Sequence, residues 1–131
     1  EMGREYQKHW NWHPDEDLKV DSLWVNLQKK TEYNPLHNHD GILSYVAWLD
    51  IPYRREDEMN LNHSKDSRTK EFASTFQFLY TSIFGQIVNE MYKVENGWEG
   101  RIVMFPSKLP HIVYPFYSSD GYRISIAGNL S

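Results

Sequence analysis

The feature that most limits the fold is a regular beat of short apolar runs, each about as long as a β-strand and each closed by a turn signal. Ile42–Leu49 (ILSYVAWL) is the densest run, nearly apolar throughout, as a strand buried on both faces would be. It is far shorter than the roughly 20 residues of a membrane span, and Pro52 closes it. Ser22–Gln28 reads as a strand from its β-branched and aromatic residues. Tyr33-Asn34-Pro35 reads as a loop, because proline holds its predecessor extended. From Thr75 onward Phe76, Phe78 and Tyr80 alternate with Gln77, Leu79 and Thr81, the period of a strand. Gly85 permits a turn into Gln86–Val94, and Asn96-Gly97 is a type I′ hairpin signal leading into Gly100–Phe105. Pro106–Pro110 is a turn, His111–Phe116 a strand with Pro115 near its end, and Ser118–Gly121 a turn into a last strand, Tyr122–Ala127. About seven short strands with little helix predict an all-β sandwich or barrel.

The 131 residues fit one domain, residues 1–131. A chain of that size can bury roughly two-thirds of its unfolded surface. Five Trp, nine Tyr and six Phe supply the bulk for a barrel interior. The net charge of −4 lacks the basic footprint of broad nucleic-acid binding, so nucleic acid is not an expected partner. The absence of cysteine excludes a disulfide scaffold or thiolate site and fits a reducing cytoplasm. No membrane span or signal peptide is visible, so a membrane is not an expected partner either. Glu1 rather than Met opens the chain, as expected of a piece of a longer protein. Residues 1–21 are expected to be a polar extension, with a short helix before Trp10 and an acidic turn at Pro14–Asp17. Residues 54–74, the most polar stretch, read as a surface loop or lid.

The chemistry lies in the histidines. Along a strand, residues i and i+2 point the same way, so His37 and His39 can both face a barrel interior. His111 starts a strand straight after a Pro-bounded turn and can supply a third ligand from the rim. Imidazole suits iron, zinc, copper and nickel, and three ligands on one side leave the opposite positions open. An H-x-H pair alone is a weak signal; the later histidine and arginine strengthen it. His9, His13 and His63 sit in polar, unpatterned segments and read as surface residues, although His63 within the possible lid could touch a substrate. In the last strand Ile124 and Ile126 face one side, so Arg123 and Ser125 share the other. An inward arginine is costly unless paired. Its planar fork matches a carboxylate, and Ser125 can add a hydroxyl. The blander alternative is an edge-strand arginine reaching water.

Four segments carry a resemblance: Asn34–Gly41 (NPLHNHDG), Leu43–Leu49 (LSYVAWL), Phe105–His111 (FPSKLPH) and Arg123–Ile126 (RISI). From about residue 22 to its end, the chain resembles the iron(II)- and 2-oxoglutarate-dependent oxygenases, and among them a little-characterised phage and marine bacterial group. The resemblance implies a double-stranded β-helix, that is, a jelly-roll or cupin-like barrel. It implies an Fe(II)-dependent dioxygenase, a hydroxylase, using 2-oxoglutarate and O2 in the cytoplasm of a bacterium or of a phage-infected host cell. His37 and His111 then fall at the first and last metal-ligand positions, and Arg123 with Ser125 matches the R-x-S element that binds the distal carboxylate of 2-oxoglutarate. Trp48 stands where many relatives place an aromatic residue against the co-substrate, and Asn26 on the preceding strand can reach it too. One position departs: the superfamily has H-x-D or H-x-E, and here the third residue is His39. Either His39 ligates, completing a catalytic set of His37, His39 and His111, or Asp40 swings in; alternation favours His39. Two rival readings are a cupin-type metalloenzyme without 2-oxoglutarate and a non-enzymatic jelly-roll binding module. The primary substrate and the oligomeric state stay open.

Overall fold

Strand alternation sorts the side chains into an inner and an outer set, and the strand order then closes the inner set into a core. A computed structural model describes residues 17–61 and 67–131. The strands are β1 (Val20–Gln28), β2 (Asn34–His37), β3 (Leu43–Asp50), β4 (Thr75–Thr81), β5 (Ile87–Lys93), β6 (Ile102–Pro106), β7 (His111–Val113) and β8 (Arg123–Leu130). They form two four-stranded sheets, ordered β1-β8-β3-β6 and β2-β7-β4-β5, with antiparallel pairing throughout. The chain changes sheet at every connection except β4–β5, whose tight turn uses Gly85 at φ 77°. This is the expected all-β jelly roll.

Between the sheets lies an aromatic core. Trp48 meets Phe76 and Trp98 edge-on at 5.9 and 5.6 Å, and Phe78 meets Phe105 at 4.9 Å. Burying one such side chain contributes roughly 1.5–3 kcal/mol. The first sheet's inner face is nevertheless mixed. From β8 it buries Arg123, Ser125 and Asn129, and from β1 Gln28. Polar groups placed there are costly unless partnered, and they mark where the site lies.

Three sequence expectations change. First, β2 runs through Pro35, where a loop was expected. β2 is an edge strand of the second sheet, and Pro at an edge need not cost a ladder bond. Second, Asn96-Gly97 does not close a hairpin. Gly97 has φ 97°, but Asn96 lacks the positive φ that type I′ demands, and β5 and β6 lie in different sheets. Asn96 N–H instead donates to Tyr53 O (3.0 Å). Third, the described parts of 54–74 include two short helices, α1 (Arg55–Asn60) and α2 (Ser67–Phe72). Glu95 accepts the Arg55 backbone N–H (2.8 Å), and Glu56, Asp57 and Glu58 in the first turn suit the positive end of the helix. The Arg55 guanidinium donates to the carbonyls of Lys70, Glu71 and Ala73, which satisfies the end of α2. The helix expected before Trp10, with His9, His13 and His63, lies outside the described residues. Among the described residues no helix is long and apolar enough to cross a membrane.

Candidate metal centre and arginine pocket

β2 and β7 set the first two histidines. His37 and His111 are register partners across the pair, so their side chains share one face. His39 lies two residues past His37, beyond the end of β2, and its backbone N–H donates to Ser107 O (2.9 Å). Gly41 then turns the chain back at φ 91°, where a Cβ would stand 3.0 Å from Leu130 O; only glycine suits both demands. One ligand atom from each of His37, His39 and His111 lies within 4.8 Å of the others.

Hydrogen bonds fix two of the rings. His37 Nδ1 is 2.6 Å from Pro35 O, and His111 Nδ1 is 3.0 Å from Leu109 O. A carbonyl only accepts, so each Nδ1 donates and each Nε2 keeps its lone pair for a metal. Burial pulls the His111 pKa down to about 4; the charges of His37 and His39 push the same way, and the Leu109 bond opposes. His39 is lowered too, by burial first and by His37 second. Near neutral pH the His39 and His111 imidazoles are unprotonated, the form that binds metal. Trp24 packs against His39, ring centres 5.3 Å apart. Asp40 is elsewhere: its carboxylate is fully exposed and ion-paired with Lys108 (2.8 Å), which holds its pKa below the usual carboxylate value. Of the two alternatives at the second ligand position, His39 is the one beside His37 and His111.

Arg123 opens β8 and is 2% exposed. Gln28 Oε1 accepts from its Nε (3.2 Å) and Nη2 (2.7 Å), Tyr53 Oη from Nη1 (2.8 Å) and Tyr114 O from Nη2 (2.9 Å). The guanidinium also lies against the rings of Tyr53 and Phe116 (5.9 and 5.5 Å). All of these partners are neutral. Among the described residues no carboxylate pairs with Arg123, so within them this buried cation has no counter-ion. Burial raises the Tyr53 pKa, with Arg123 opposing, so its hydroxyl stays protonated while its oxygen accepts from the guanidinium. Asn26 Nδ2 donates to Ser125 Oγ (3.4 Å) beside it.

One cavity unites these groups. It holds about 550 Å³ of non-atom space, counting its open mouth, and is lined by His37, His39, His111, Arg123, Ser125, Trp48 and Asn26 alike. All seven residues expected from the sequence therefore meet in one place. Gln28, Tyr53 and Tyr114 were missed. Gln28 shares the strand parity of Trp24 and Asn26, which could have flagged it; Tyr53 and the Tyr114 carbonyl carry no such signal.

The family described as "Putative 2OG-Fe(II) oxygenase" matches residues 22–129. The chain belongs to the 2OG-Fe(II) oxygenases. No curated protein matches the chain. Membership of this oxygenase family implies Fe(II), 2-oxoglutarate and O2 as the associated chemistry. The donor set fits: imidazole is a common ligand of non-haem iron, and Arg123, whose described partners are all neutral, suits a dicarboxylate.

Proposed function

We propose that the protein is an Fe(II)- and 2-oxoglutarate-dependent dioxygenase that couples decarboxylation of 2-oxoglutarate to hydroxylation of a second substrate. The observation that carries this reading is the shared cavity, with three metal-competent histidines and a buried arginine with which no carboxylate among the described residues pairs. His37, His39 and His111 would hold the metal, and Arg123 with Ser125 would take the distal carboxylate of the co-substrate. When bound, Fe(II) and 2-oxoglutarate supply the oxidising chemistry. The chain's own residues do the positioning. Pro35 O and Leu109 O hold two imidazoles in the ligating tautomer. Gln28, Tyr53 and Tyr114 keep the Arg123 fork aimed into the cavity. Trp48 and Asn26 are proposed to flank the co-substrate, and the buried Trp48 with Phe76 and Phe105 helps keep water out.

The test is succinate formation from 2-oxoglutarate with Fe(II) and O2, alongside an anaerobic titration that follows 2-oxoglutarate binding to the Fe(II)-loaded protein. Succinate release that survives Arg123→Ala sinks the assignment. A second reading, a cupin-type metalloenzyme without 2-oxoglutarate, draws on one observation: the ligand cluster is all histidine, with no carboxylate. In that case Fe(II) would bind while 2-oxoglutarate would not.

A further inference from the structure

The alternation that sends Trp24, Asn26 and Gln28 into the cavity sends Leu23, Val25 and Leu27 outward, where they are 61%, 55% and 61% exposed. The same parity continues across the sheet. Val25 pairs with Ile126, Ile126 with Ala47, and Ala47 with Ile102. Beside that row Leu27 faces Ile124, and Tyr45 faces Met104. Leu49 and Ile102 are also half exposed. Between the ends of β1, the one charged outward position among the described strands of this sheet is Asp50, the other register partner of Ile124. Monomers rarely present so broad an apolar field, and such fields mark interaction sites. Four strands about 4.8 Å apart, of nine, eight, eight and five residues, give a planar footprint on the order of 500 Å². Side-chain relief brings the accessible area towards the roughly 800 Å² per partner of a standard interface.

We propose that this face is the interface of a twofold homodimer, sheet against sheet. An apolar pleated face is complementary to itself, as a contact using the same patch on both subunits requires. Aligned sheets pack about 10 Å apart at about 30°. The ends of β1 supply the register: Asp21 lies near its start and Lys29 just past its end, both exposed. A twofold axis across the strands lays β1 antiparallel over the same strand of the second copy, which brings Asp21 towards the partner's Lys29 at both ends. The metal cavity lies on the other side of this sheet, so both centres stay open to solvent.

Sedimentation equilibrium of the whole chain over a wide concentration range tests this. The expected result is a mass of twice 15.7 kDa for the wild type. Val25→Lys and Ile102→Glu, each at an exposed position, should weaken association at least about 100-fold with an unchanged circular dichroism spectrum. Asp21→Lys alone should weaken it, and adding Lys29→Asp should restore it, a reciprocity that a merely structural role would not produce. A wild type of 15.7 kDa at every concentration overturns the proposal. So does a dimer that survives both Val25→Lys and Ile102→Glu, and so does a monomer whose outer face is shielded from surface labelling by residues 1–16 of its own chain.

Discussion

Replacing Arg123 with lysine keeps the positive charge but removes the planar fork that reaches Gln28, Tyr53 and Tyr114 together. A hydrogen bond to a charged group is worth about 1.5–3 kcal/mol. Arg123→Lys should therefore weaken 2-oxoglutarate binding roughly 10- to 100-fold in an equilibrium titration, with Fe(II) affinity little changed. His111 gives a pH dependence with a definite sign. Its folded pKa of about 4 lies below the 6.5 of the unfolded chain, so the unfolded state binds more protons between those values. Stability of the metal-free protein should be level above that window and fall as pH drops through it, by up to about 3 kcal/mol for 2.5 units. Urea midpoints at neutral and acid pH check this, and His111→Gln should flatten the profile. His37, His111 and Arg123 were legible in the sequence because strand parity constrains residues with few other uses, whereas His39, picked by the same alternation, lies past the end of β2 and is placed by the segment that follows it. The neutral partners of Arg123 were not, since glutamine, tyrosine and a carbonyl recur everywhere and only the fold brings them there.

α1 does its work through one side chain. Glu58 is 0% exposed, and its carboxylate accepts from Tyr117 N–H, Ser118 N–H and the Ser118 hydroxyl. It thereby fastens the segment just after Phe116, whose ring lies against Arg123. Glu58→Ala should destabilise by about 3 kcal/mol, since it leaves buried donors unpaired; thermal unfolding measures this. On β8, a Cβ at Gly128 would stand 2.4 Å from Ser22 O and 2.6 Å from Tyr45 Oη. The first is backbone and cannot swing aside, so Gly128→Ala should loosen the β1–β8 pairing and cost about 1–3 kcal/mol by the same measurement. β3 and β4 were readable because their inner and outer faces are both written in side chains. β2 was not, because four residues around a proline look like a loop until β7 pairs with them. The Asn96-Gly97 reading failed for a related reason: local geometry specifies a turn, but not which sheet receives the next strand.

At the scale of the whole molecule, the three candidate metal ligands come from β2, the segment after it and β7, while Arg123 comes from the start of β8. A metal ion would tie the second sheet to the loop that leads back into the first. Fe(II) at about 100 times its dissociation constant should raise stability by about 2.7 kcal/mol, and chelation should reverse the gain; calorimetry with and without metal checks it. Longer-range still is the pairing of β1 with β8, which joins the two ends of the described chain. Lys19 N–H donates to Ser131 O (2.9 Å), and Ser131 N–H donates to Lys19 O (3.1 Å). The barrel is thus closed by its last residues. During synthesis the arginine wall of the cavity is missing until β8 has left the ribosome, so a nascent chain could gather its three histidines while still unable to hold a dicarboxylate beside them. Because Lys19 and Ser131 are hydrogen-bonded neighbours, a short linker from Ser131 to Lys19 should let the strands be reopened at the exposed Ile83-Phe84 turn, as a circular permutant that keeps the same cavity.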